Sequence, residues 1–385
     1  METADVGVIG AGIHGASAAF HLATRGASTT IIERGTPAGG PTGRSSGICR
    51  AYYTNPFLAR MSRDSIRMFE RFPEITNGGT AELQRTGMLF LHPPEDSYQV
   101  RAAVGRLKGL GIATDILEPG ELASRFPEFE LDGVGLAAFE RDAGHADPAG
   151  ATNALFRRAL ELGAEPRLGV EVTAIEPAPG GGAAIATSDG GAIVCSRVLI
   201  AAGPWTRALA RTVGVDLPLT VERHVVASFE WGGAEPVQAH GDLVLGYYMR
   251  PEGEALCLVG PLHPAPQADP NHFSHEISHD EIEHLARLIV RRVPRLERSN
   301  VHGGWASLYD VSPDWQPVIG EIAPGIFVDA GTSGHGFKLA PALGREVAAM
   351  VLGEQTDPGL AEFSPARFEE GRRLDAGYRE ARILG

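Results

Sequence analysis

Two patterns of apolar positions alternate along this 385-residue chain. Unbroken apolar blocks at 6–9, 29–32, 198–203 and 326–331 predict short strands buried on both faces, as in a parallel sheet. Alternating stretches at 219–231, 242–249 and 255–259 predict strands of a large antiparallel sheet. Further strands are predicted at 86–91, 169–176, 183–188 and 192–200. Phe57, Leu58, Met61, Ile66 and Phe69 recur at helical spacing and predict a helix over 56–72. Helices are also predicted at 16–24, 100–110, 119–126 and 341–352. Two more carry start signals. Asp147 before Pro148 opens a helix that stops at Gly163, and Ser278 with Glu281 forms a capping box for a helix over 278–293. The segments 37–47 and 179–182 read as glycine-rich loops, and 332–338 as a turn.

The first apolar block ends in Gly10-Ala-Gly12-Ile13-His14-Gly15. Gly10 permits a tight turn, Gly12 lets the backbone approach a pyrophosphate, and Gly15 lets the next helix pack on the strand. Free N–H groups at that helix N-terminus suit an anion. Glu33 ends the second strand near the spacing of about 20 residues that the fingerprint expects. Its carboxylate accepts hydrogen bonds from a ribose diol and repels a 2′-phosphate, so FAD or NAD is favoured over NADP. The order of elements implies two interleaved domains in an α/β (α+β) chain. A Rossmann-like dinucleotide domain is expected from 1–75, 145–215 and 300–385. A substrate domain on a large, mostly antiparallel sheet is expected from 76–144 and 216–299.

A net charge of −14 argues against nucleic acid or an anionic membrane surface as partner. No apolar run approaches a membrane span. The first strand starts almost at once, with no charged leader. Cys49, Cys195 and Cys257 are few, far apart and without metal-ligand spacing, so no metal and a reducing cytoplasm are expected. Only Lys108 and Lys338 are lysines among 34 basic residues, which makes each worth locating.

Four stretches converge: the fingerprint with Glu33; Gly43-Arg-Ser-Ser-Gly-Ile-Cys-Arg50; Ala201-Ala-Gly-Pro-Trp-Thr206; and Gly331-Thr-Ser-Gly-His-Gly-Phe-Lys338. Together they resemble the D-amino-acid-oxidase-like superfamily of FAD enzymes, nearest to its sarcosine oxidase branch. The resemblance implies FAD along the Rossmann-like domain with its flavin ring under the substrate sheet. It implies oxidation of the C–N bond of a secondary or N-methyl α-amino acid, sarcosine-like or cyclic, by hydride transfer to flavin N5. The product is an imine, and O₂ or another acceptor takes the electrons. Two alternatives stay open: oxidation of a 2-hydroxy acid, with His335 or His263 as base, and the FAD subunit of an amino-acid dehydrogenase with partner subunits.

The same resemblance assigns roles. Lys338 binds the substrate carboxylate and Arg50 faces it, with Arg44 as a rival. Gly331, Ser333, Gly334, Gly336 and Phe337 approach the flavin's pyrimidine edge, and His335 points at the ring or caps the turn. Tyr248 and His263 contact substrate, or serve packing and a loop. Ile13, His14, Arg34, Arg44, Ser45, Ser46, Val172, Ala202, Gly203 and Trp205 complete the cofactor contacts. Two departures matter. Ser307 stands in Trp305-Ala-Ser307-Leu-Tyr309 where monomeric sarcosine oxidases carry the flavin-linking cysteine, and no histidine lies near 44–47, so FAD is expected to bind non-covalently. The stretch 255–260 also lacks the lysine that speeds reaction with O₂.

Overall fold

The computed structural model describes residues 2–178, 182–231 and 236–375, so most of the predicted loop at 179–182 lies outside them. The unbroken apolar strands assemble one sheet. Its order is Val318–Ala323, Ile326–Ala330, Ala192–Ile200, Glu2–Ile9, Thr29–Glu33, Glu165–Leu168. Along this path the neighbours are parallel from Ile326–Ala330 onward, and Ala183–Thr187, itself paired with Val172–Pro177, joins Ala192–Ile200 antiparallel. Successive side chains feed two different cores. Val8, Ile31, Leu199 and Phe327 join one, while Ile9, Ile32, Ile200 and Val328 join the other. A strand covered on both faces cannot alternate in polarity, which is why these segments read as unbroken blocks. The first core holds the helices Ile13–Thr24, Pro148–Glu161 and Gly336–Leu352. Ser17 Oγ donates to the Ala340 carbonyl at 2.8 Å, and Gly344 lies so close to Ser17 that a Cβ would clash.

The alternating segments build the second sheet, in the order Asn300–Val311, Thr220–Glu230, Leu256–Pro261, Tyr247–Glu252, His240–Asp242, Met88–His92, Leu136–Glu140, Thr114–Leu117. His240–Asp242 and Met88–His92 pair in parallel; the remaining neighbours are antiparallel. Val225, Ala227, Phe229, Tyr247, Met249 and Ala306 pack in an outer core with Leu285 and Ile289 of the His279–Arg292 helix. The intervening His224, Val226, Tyr248 and Ser307 face a cavity. Period-two alternation thus decides which side chains reach it.

Both predicted start signals form. Asp147 accepts the Ala149 N–H at 2.9 Å, and Ser278 and Glu281 close a capping box. Several expectations differ from the structure. The stretch 242–249 is two strands, because the Asp242 carboxylate accepts the Val244 and Leu245 N–H groups and turns the chain. Asn300–Val311, expected in the dinucleotide domain, pairs with Thr220–Glu230 in the second sheet. The last helix begins at Gly336 rather than 341 and carries Pro341 inside it. Pro341 has no N–H for the Phe337 carbonyl, and the next N–H, of Ala342, donates to Ser65 Oγ at 3.0 Å. Among the described residues, no helix is long and apolar enough to cross a membrane.

Candidate active site

A cavity of about 1080 Å³ runs from the Gly10 turn to the inner face of the second sheet. At its first end Gly10 has φ +104° and Gly15 packs on the Gly10 carbonyl, where a Cβ would clash. Gly12 borders the cavity, with Thr42 Oγ1 the one atom near a Cβ built there. The helix behind it has no side-chain cap from Gly12 and no acidic residue in its first turn. Thr42 Oγ1 accepts the Ile13 N–H at 3.2 Å. Glu33 is held by the Ala11 and Gly35 N–H groups, both at 2.8 Å, and a carboxylate keeps further lone pairs for a diol. Arg34, Val172, Ala202, Gly203 and Trp205 line this end. An open helix N-terminus, a backbone stripped of Cβ atoms and an anchored carboxylate fit a dinucleotide.

Arg44, Ser45, Ser46, Tyr248, Gly334 and Phe337 line the same cavity. The second sheet docks here: Trp305 Nε1 donates to the Arg44 carbonyl at 2.8 Å and Arg250 Nε to the Ser46 carbonyl at 2.5 Å. Gly331, Ser333 and Gly334 all take positive φ. Asp310 holds that turn by accepting the Gly331 N–H at 2.6 Å and the Thr332 hydroxyl at 3.2 Å. His14 lies between the Asp329 carboxylate at 2.8 Å and the Gly336 carbonyl at 3.1 Å. Burial opposes charge on His14, but Asp329, Asp310 and the Gly336 carbonyl together outweigh it and the pKa rises. Two acceptors suit a ring whose nitrogens both donate.

Behind Gly336 and Phe337 lies a buried polar cluster. Lys338 sits in the first turn of the last helix, and no described residue accepts a hydrogen bond from its amine. Burial, and then the Arg50 charge, push its pKa down to about 7. Arg50 donates to the Tyr52 carbonyl at 2.5 Å, and its guanidinium lies 4.4 Å from the Tyr53 ring centre. The Tyr53 hydroxyl has no hydrogen-bond partner among the described residues, and burial pushes it up to about 12. His335 is wholly buried, and neither nitrogen has a hydrogen-bond partner among the described residues; burial, Lys338 and Arg50 push its pKa well down. Glu140 accepts the Ala51 N–H with both oxygens, at 2.8 and 3.0 Å, and burial raises it to about 7.

Lys338 therefore feels Arg50 rather than Arg44. Gly15, Gly331, Ser333, His335, Arg50 and Lys338 are not among the residues that line the cavity. His263 is a correction: it is on an exposed loop, outside the cavity, with its ring against Gly246. Tyr53, Glu140, Asp329 and Asn271 were not singled out from sequence. Alternation on 219–231 would have found His224, a polar residue on an inward register.

The chain is 29% identical to 4-methylaminobutanoate oxidase (formaldehyde-forming) of Paenarthrobacter nicotinovorans, over 97% of its own length and 47% of the relative's. It is 26% identical to sarcosine oxidase subunit beta of Rhodobacter capsulatus, over 96% and 90%. L-proline dehydrogenase from P. horikoshii superposes with a TM-score of 0.85 at 24% identity, covering 97% of this chain and 100% of that one. The chain spans about half the length of the first relative and of rat dimethylglycine dehydrogenase. Residues 5–350 match the model of the FAD dependent oxidoreductase family, and the chain belongs to that family.

Proposed function

We propose that this flavoprotein oxidises the C–N bond of a secondary or N-methyl α-amino acid to an imine. The observation that carries the reading is the buried Lys338 amine within electrostatic reach of Arg50, which stacks on Tyr53 beside His335 in the turn that leads into the last helix. Two cations, one without any acceptor, suit an acid group. The Tyr53 hydroxyl, without a hydrogen-bond partner among the described residues, supplies a third donor. His335, kept neutral by burial and by the two cations, offers a lone pair to the amine N–H. The same cations disfavour an extra positive charge, so the amine is held neutral, as loss of hydride from its carbon requires.

Bound FAD supplies the hydride acceptor. Gly10, Gly12 and the N-terminus of the Ile13–Thr24 helix hold its pyrophosphate, and Glu33 its ribose. His14 with Asp329, and the 331–334 turn, favour negative charge on the ring. Ser307 and the absence of a histidine near 44–47 support non-covalent binding. Lys108 is half-exposed and paired with Asp115 at 3.3 Å, and Lys338 is assigned to the substrate carboxylate, which supports an electron acceptor other than O₂. Of the four relatives named above, three are named for carboxylic acids bearing a secondary amine and the fourth for dimethylglycine, a tertiary amino acid.

The test is anaerobic loss of the yellow flavin colour with a panel of N-methyl, cyclic and primary amino acids and 2-hydroxy acids. Secondary amino acids are expected to bleach it. Bleaching by hydroxy acids alone would overturn the reading.

A further inference from the structure

The loop between the Leu256–Pro261 strand and the His279–Arg292 helix belongs to the second sheet by sequence, yet it reaches the first. Asn271 on this loop lines the cavity beside Arg34 and Trp205. Its side-chain oxygen accepts the Trp205 indole N–H at 2.7 Å and an Arg34 guanidinium N–H at 3.4 Å. Indole and guanidinium can only donate, so chemistry fixes the amide's orientation: oxygen toward these two, N–H₂ away from them. The Arg34 guanidinium also lies 3.7 Å over the Trp205 ring. Three side chains, from the end of one strand, the turn after another and a loop of the second sheet, make one assembly.

Asn271 is presented on a braced turn. Asp269 accepts its backbone N–H at 2.8 Å, and Asp269 bridges to His272. Just before this turn, Ala268 donates to the Val221 carbonyl at 2.9 Å and Gln267 bridges to Glu222. Arg34 follows directly on Glu33, the carboxylate suited to a ribose. The assembly therefore sits at the nucleoside end of the cavity.

We infer that Asn271 is a dinucleotide-binding residue supplied by the second sheet's loop, and that with Trp205 and Arg34 it latches the nucleoside end shut. This rests on the reading of the cavity as an FAD site. The amide N–H₂ meets an acceptor of the bound adenosine, while the amide oxygen ties the loop to Trp205 and Arg34. FAD cannot leave until these bonds part.

The experiment is the rate at which flavin fluorescence appears when holoenzyme is diluted. Asn271→Ala and Trp205→Phe each release FAD about tenfold faster than the wild type, the scale of one or two hydrogen bonds. The double variant is within twofold of the faster single one, because both remove the same bond. Asn271→Asp, which keeps the acceptor but loses the N–H₂, also releases faster. Release within twofold of wild type in Asn271→Ala or Asn271→Asp, or multiplicative effects in the double variant, would overturn the inference. A wild type that binds no FAD would instead sink the cavity reading.

Discussion

The Lys338 amine is buried within electrostatic reach of the Arg50 guanidinium, which stacks on Tyr53 beside His335, and no described carboxylate forms an ion pair with Lys338. Lys338 and Arg50 come from near opposite ends of the chain. Like charges brought together out of water oppose folding; the buried Glu140 carboxylate acts on Arg50, and an acid group of a ligand would offset the charge on Lys338. That reasoning yields measurable consequences.

Binding of a carboxylate inhibitor depends on pH in a stated direction. The free Lys338 pKa is about 7, and an acid group favours its charged form. Affinity is therefore flat below about pH 7 and falls by up to about tenfold per unit above it, with proton uptake on binding. Titration calorimetry in buffers of different ionisation enthalpy checks both the slope and the proton.

Removing that charge stabilises the substrate-free protein. Lys338→Met keeps the length and deletes an unpartnered buried cation, so its thermal midpoint rises at pH 7. The unfolded chain binds more protons at this site than the folded one between about pH 7 and the ordinary lysine range. Wild-type stability therefore gains on the variant as pH rises through that window. Thermal melts of both proteins at pH 7 and pH 10 measure the gap.

Gly15→Ala forces a methyl into the Gly10 carbonyl. The turn must open, at about 1–3 kcal/mol, and the pyrophosphate cradle opens with it. Denaturant unfolding of the apoprotein and the flavin-to-protein absorbance ratio report the two effects separately.

These sterics are local, which is why the fingerprint is legible in sequence. Gly10, Gly12 and Gly15 act on neighbours a few positions away, and two-sided burial writes itself as unbroken apolar blocks. Short edge strands were illegible: Glu165–Leu168 is polar and carries a proline, so nothing in its pattern reports a partner. The 242–249 stretch misled because the Asp242 turn interrupts an otherwise suitable alternation. Lys338 and Arg50 were found through a motif resemblance, since their meeting depends on tertiary placement alone. Tyr53, Glu140 and Asn271 belong to the same class without a motif to mark them. His263 misled because it follows the Leu256–Pro261 strand closely in sequence but turns outward in space.

Acid precipitation addresses the link between flavin and protein. With Ser307 where related enzymes carry a linking cysteine, all yellow colour is expected in the supernatant. Colour retained in the pellet would mean a covalent bond.

The central claim is that Lys338 recognises the acid group of the substrate. The direct measurement is the anaerobic rate of flavin reduction, per unit concentration, by a secondary amino acid and by the same amine without its carboxylate, in wild type and Lys338→Met. The account predicts a loss of about 10- to 150-fold for the amino acid in the variant, the scale of a charge-assisted hydrogen bond, and little change for the bare amine. Equal losses for both compounds, or none for the amino acid, would contradict it.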